Sequence, residues 1–179
     1  MRRFALIPLA LLVGCGPTLS VSPAGRQVGT LTLEDPGGSL GPLPVASTQT
    51  YATGSAAVPL AEARAALPAV YDALGLQGAG PAGDDRFVAP RRQVTRSLAG
   101  TRLSRYLDCG STVSMANADH YAVTLQVSTQ LSAAGAASTT VTTLLQATAR
   151  PVGTAGEPVS CTSTGALERE IVTGIGASG

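Results

Sequence analysis

HYAVTLQVSTQL, residues 120–131, alternates between apolar and polar side chains. Tyr121, Val123, Leu125, Val127 and Leu131 fall on one face, and Thr124, Gln126, Ser128 and Gln130 on the other. A period of two marks a strand with one face on a core and the other toward water. TTVTTLLQATARP, residues 139–151, repeats the pattern, with Val141, Leu145 and Ala147 on one side. The small residues between them, SAAGAAS at 132–138, predict a hairpin loop. An antiparallel hairpin with one Thr-rich face can leave that face wet. Its other face needs an apolar layer, and the sequence must supply one.

Two segments do so. VPLAEARAALPAVYDALGL, 58–76, places Leu60, Ala63, Leu67, Val70, Tyr71 and Leu74 on one helical stripe. Pro59 suits the first turn, and Gly75 suits a left-handed cap from which Leu76 packs back on Tyr71. Pro68 lies inside the stripe, where its missing N–H and its ring predict a bend. STGALEREIVTGI, 163–175, is a second helix, with Ser163 or Thr164 as its cap and Leu167, Ile171 and Ile175 in line. QTYATGSAA (49–57) and RFVAPRRQVTR (86–96) read as further strands, and GAGPAGDD (78–85) as a turn. The class that follows is α+β: an antiparallel sheet with two helices on one face.

The start of the chain has a different composition. Arg2 and Arg3 precede an apolar run from Phe4 to Val13. As a helix this run would span about 15 Å, half of a bilayer core of about 30 Å. It therefore reads as a signal peptide, residues 1–14, and not as a membrane span. Leu12-Val13-Gly14-Cys15 resembles the bacterial lipobox. That resemblance implies diacylglyceryl transfer to the Cys15 thiol, cleavage before Cys15 and acylation of the new amino group. Several acyl chains on one residue hold a protein where one holds it only marginally. Gly16, in place of Asp, resembles the sorting pattern of Gram-negative lipoproteins bound for the outer membrane. It implies a lipid-anchored, periplasm-facing protein, or one on the outer face of a single membrane. Residues 15–47 carry the lipidated cysteine and a Pro-, Gly- and Ser-rich tether, in which Gln27–Glu34 could add an edge strand. Residues 48–179 form the α+β domain. Its strand–helix–strand start and terminal helix, over residues 49–175, resemble the helix-grip modules of accessory lipoproteins in outer-membrane assembly machines.

After cleavage, ten basic residues face eleven acidic ones, which argues against a nucleic-acid partner. All basic residues are Arg, so lysine chemistry is excluded; with no Trp and six Phe or Tyr, stacking on glycans is disfavoured. With Cys15 acylated, Cys109 and Cys161 remain, and in an oxidising compartment they predict one disulfide. It would bring LSRYLDCGS (103–111) against CTSTG (161–165), and so Asp108 and Ser111 beside Thr162 and Ser163.

No motif for catalysis or for a cofactor stands out. His120, the only histidine, follows Asp119, but no G-x-S-x-G accompanies it. A zinc site needs three or four ligands, and a calcium site at Asp84 and Asp85 needs more oxygens than this turn offers. No metal or cofactor is expected. Arg86, Arg91, Arg92, Arg96, Arg102 and Arg105 lie in one acid-free segment, and arginine pairs bidentately with phosphate and carboxylate. They are the candidate contacts for an anionic lipid or another envelope protein. The expected function is that of a membrane-anchored envelope lipoprotein with a non-catalytic binding or scaffolding module. The alternatives are a hydrolase using a Ser and His120, or a small-ligand-binding lipoprotein.

Overall fold

The structure, a computed structural model, describes residues 26–31, 45–113, 115–153 and 156–177, with side chains from Tyr51 onward. The lipobox and Cys15 lie outside the described residues. The main sheet has eight strands: β1 (Arg26–Leu31), β2 (Val45–Ala56), β3 (Gly80–Pro81), β4 (Arg86–Thr95), β5 (Leu107–Asp108), β6 (Ala122–Gly135), β7 (Ser138–Arg150) and β8 (Val159–Ser163). Their order is β1-β2-β7-β6-β4-β3, every pair antiparallel. The free side of β7 is shared: β2 pairs with Thr139–Leu145, and β8 pairs with Ala147–Ala149 and carries β5 on its far edge.

The β6–β7 hairpin is longer than its sequence predicts. The segment 132–138 is mostly strand, and the turn is confined to Ala136 and Ala137, with a register shift at Ala133/Gly135. Cross-strand backbone bonding, which composition does not reveal, carries both strands through the small residues. On β6, Val123, Leu125, Val127, Thr129 and Leu131 are buried; on β7, Thr139, Val141, Thr143, Leu145, Ala147 and Ala149 are. The opposite face carries Thr124, Gln126, Gln130, Thr140, Thr142 and Gln146, none of them buried.

Two long helices cover the apolar face: α1 (Leu60–Ala73) and α3 (Ala166–Ala177), with a single-turn α2 (Asn117–His120) that the sequence reading lacked. The sheet, α1 and α3 share one core, centred on Leu67, Tyr71, Leu125, Leu145, Leu167 and Ile171. Gly75, at φ +71°, ends α1; Leu76 N–H reaches Tyr71 O at 2.8 Å and Gly75 N–H reaches Asp72 O at 3.0 Å. This pair of bonds satisfies two of the last carbonyls of α1. Helix α1 runs continuously through Pro68.

β4 contains the decisive irregularity. Leu125 faces Arg92 and Val127 faces Ala89, so Pro90 and Arg91 together oppose Gln126. One extra residue reverses the side-chain alternation. Before it Phe87 and Ala89 point to the core; after it Arg92 and Val94 do.

Candidate functional site

The chain between β4 and β6 turns repeatedly near one end of the sheet. A two-residue ladder pairs Ser97–Leu98 with Thr101–Arg102 around Ala99 (φ 46°) and Gly100 (φ 82°). Arg96 also has a positive φ, 65°, and its carbonyl accepts Leu103 N–H at 2.9 Å. A 3-10 turn, Leu103–Arg105, follows. The Asp119 carboxylate accepts both Ser104 N–H (2.9 Å) and Ser104 Oγ–H (2.8 Å), fastening α2 to that turn. A second ladder, Ser111–Thr112 with Met115–Ala116, closes on Asn117, whose amide donates to Cys109 O at 3.0 Å.

Between these pieces lies an open pocket of about 580 Å³, lined by Arg96, Arg102, Ser104, Met115, Asp119 and His120. It holds the serine, acid and histidine of the hydrolase alternative, but the bonding differs from that of a nucleophile. Ser104 donates its hydroxyl hydrogen bond to Asp119, and no hydrogen bond among the described residues joins it to His120, the base that a triad would use. His120 is exposed, and its imidazole makes no hydrogen bond among the described residues.

The six candidate arginines divide into three groups. Arg92, turned inward by the bulge, donates from Nη1 to Gly75 O at the end of α1. Arg105 pairs with Glu170 at 2.9 Å, and Tyr106 Oη donates to the other oxygen of the same carboxylate at 2.8 Å. Both of these arginines tie elements of the fold together. Arg86 and Arg91 are exposed on β4, and Arg86 borders a depression with Gln126, Ser128 and Gln146 on the polar face of the sheet. Arg96 and Arg102 border the 580 Å³ pocket. Arg150, outside the predicted cluster, borders a second depression with Gln93, Thr95, Thr124 and Thr148. None of Arg86, Arg91, Arg96, Arg102 and Arg150 forms an ion pair among the described residues.

Cys109 and Cys161 are joined as a disulfide, Cα–Cα 4.2 Å, and bring the predicted loops together. Thr162 pairs with Asp108 and Ser163 with Leu107 as strand residues, and Asp108 accepts Gly110 N–H. Ser111 instead enters the ladder with Ala116. At the turn before β4, Asp85 is held by Arg64. No group of three metal-ligating side chains occurs among the described residues, and no described helix is long and apolar enough to cross a membrane.

Two features escaped the sequence reading. Glu168, in the first turn of α3, is 2 % exposed, and neither carboxylate oxygen has a hydrogen-bond partner. Burial pushes its carboxyl above the ordinary Glu range; the nearby Ser163 hydroxyl, its own backbone N–H and Arg169 oppose that shift without cancelling it. The second feature is a set of large apolar side chains left in water: Val113 (96 % exposed), Val152 (65 %) and Met115 (51 %). No known protein family, curated protein or solved structure matches the chain.

Proposed function

We propose that the chain is an exported lipoprotein, acylated on Cys15, whose α+β module is a non-catalytic binding unit for an anionic component of the cell envelope. The observation that carries this reading is a group of five exposed arginines on or beside the sheet, Arg86, Arg91, Arg96, Arg102 and Arg150, with no carboxylate partner among the described residues; Arg92, bound to Gly75 O, and Arg169, on α3, also have none but lie outside this group. They are spread over the polar sheet face and one sheet end. Guanidinium groups held apart from internal acids keep their bidentate donors for phosphate or carboxylate. The engagement of Ser104 by Asp119 instead of His120 supports a binding role over hydrolysis. The lipobox resemblance at Leu12–Cys15 supports anchoring, and Gly16 supports the outer membrane.

The test combines two measurements in envelope-containing cells. The wild-type chain is expected to incorporate an acyl label that Cys15→Ser abolishes. A photo-crosslinking residue at position 91 is expected to capture an anionic envelope component, and replacing Arg86 and Arg150 with Gln is expected to reduce that capture. Equal acyl labelling of Cys15→Ser removes the anchor; capture unaffected by the arginines removes the binding reading.

A further inference from the structure

We infer that the sheet end bearing Arg96, Arg102, Val113 and Met115 is a contact surface for an anionic lipid bilayer. The inference rests on the binding reading above and names the partner for one part of it.

Met115 belongs to the ladder that pairs Ser111–Thr112 with Met115–Ala116, and Val113 directly follows its first strand with φ 38°. Backbone strain at a β-branched residue costs stability; here it holds an isopropyl group in water. Met115 lines the same pocket as Arg96 and Arg102, so apolar and cationic side chains share one surface. Val152 extends the pattern. It follows Arg150, which pairs with Ala122, and Ala122 also pairs with Thr95, the residue before Arg96. All three exposed apolar side chains therefore lie at the end of the sheet where β4 and β7 stop and β6 begins. The carboxylate inside the pocket, Asp119, is engaged by Ser104. Glu157 lies in the segment between β7 and β8, and Asp108 lies on β5, where it accepts Gly110 N–H.

Aliphatic side chains that enter the headgroup boundary, with guanidinium groups beside them to meet lipid phosphates, are the chemistry of interfacial binding. A protein partner would have to bring carboxylates matched to these arginines. A bilayer needs only to be anionic, and an anchored chain is always beside one.

The experiment uses the mature chain, residues 15–179, carrying Cys15→Ser, so that neither the apolar leader nor an acyl group contributes, and an environment-sensitive fluorophore on Val113→Cys with the native disulfide intact. Vesicles of phosphatidylglycerol and phosphatidylethanolamine are titrated in, with brominated acyl chains as quenchers. The label is expected to shift to the blue and to be quenched, with phosphatidylcholine vesicles needing at least tenfold more lipid. Arg96→Gln with Arg102→Gln is expected to raise the lipid requirement about twentyfold, since each basic residue near an anionic surface contributes several-fold. Met115→Ser is expected to weaken quenching while keeping the preference for anionic vesicles over phosphatidylcholine. Arg64→Gln, which removes one charge where the pair removes two, lies at a residue already paired with Asp85 and is expected to change nothing. An unshifted label overturns the inference, as does an equal loss with Arg64→Gln. A label shielded only by native membranes that retain their proteins also overturns it and assigns the tip to a protein partner. Loss of acyl labelling at Cys15, measured separately, bears on anchoring and leaves this readout interpretable.

Discussion

The hydroxyl of Tyr71 stands 2.8 Å from Oγ1 of Thr129, which in turn stands 2.9 Å from Oγ1 of Thr143. This buried chain links α1 to both strands of the long hairpin. Each hydroxyl can give one proton and accept another, so the three satisfy one another where water is excluded. Burial pushes the Tyr71 phenol up to about 12, so it stays neutral at pH 7. Tyr71→Phe leaves Thr129 and Thr143 to bond each other and removes one link. The expected loss is about 1–2 kcal/mol, read as a lower denaturation midpoint with an unchanged slope. A loss near zero would mean that α1 is held by apolar packing alone.

Two glycines of α3 predict opposite outcomes from the same substitution. A Cβ at Gly174 would lie 2.9 Å from Cγ1 of Val70, whereas a Cβ at Gly176 meets nothing within 4 Å. Alanine ordinarily stabilises a helix interior by about 0.5–1 kcal/mol over glycine, and Gly176→Ala is expected to gain part of that. Gly174→Ala is expected to lose about 1–3 kcal/mol, because α3 must move off α1. Adding Val70→Ala to Gly174→Ala should return part of the loss. Matching effects at the two glycines would contradict the close approach of the helices.

Glu168 sets a pH dependence of stability whose sign can be worked out. Its pKa is raised in the folded chain, so the folded state holds this proton to a higher pH than the unfolded state does. Below the ordinary Glu pKa of about 4.3 the group is protonated in both states, and its favourable contribution is fully present. As pH rises from there through the raised folded value, the unfolded chain loses the proton first and stability falls. Glu168→Gln keeps the shape and removes the charge. It is expected to stabilise the protein at pH 7 and to converge with wild type near pH 4. Chemical denaturation of both chains between pH 4 and 7 measures the difference, in which the other acids cancel. A wild-type chain more stable than Glu168→Gln at pH 7 would place a hidden donor on this carboxylate.

The long strands of the sheet and both long helices were legible because their signals are local; the short strands β3, β5 and β8 carry too few residues to show a period. Periods of two and 3.6 need no knowledge of distant residues, and Gly75 ends α1 as its position predicts. What could not be read depends on pairing. The Pro90–Arg91 bulge exists only relative to Gln126 on β6, yet it turns Arg92 to the helix-covered face, where it is half-buried, and leaves Arg91 in water. Adjacent arginines thus acquire different roles with no difference in type. Thr129, Thr139 and Thr143 were similarly opaque. Threonine on a strand suggests a wet face, but each of these is buried, the first two by accepting or giving a bond to Tyr71 and to Val58 O. Glu168 flanks a recognised apolar stripe; its burial follows from α3 touching both α1 and β2, which widens the covered face beyond that stripe. The disulfide was readable for a simpler reason: removing Cys15 left one possible pair.

That disulfide joins residues 52 apart and encloses the whole of β6 and β7. Chain-entropy reasoning gives about 4 kcal/mol for a loop of this size, a large part of a typical total of about 5–15 kcal/mol. The bond also has local consequences. Cys161 lies on β8 opposite Ala147, and the strand leads through Thr164, which donates from Oγ1 to Arg105 O, into α3. Opening the bond frees the short β5–β8 pairing and the start of α3, while the many cross-strand bonds of β6 and β7 remain. The oxidised chain carrying Cys15→Ser is therefore expected to show no free thiol on titration. Cys161→Ser should lower stability by about 2–5 kcal/mol. Amide exchange should accelerate first in residues 103–110 and 159–170 and only later in the hairpin. Two titratable thiols in folded, oxidised protein would refute the bond, and uniform acceleration across β6 and β7 would refute its local role in holding α3.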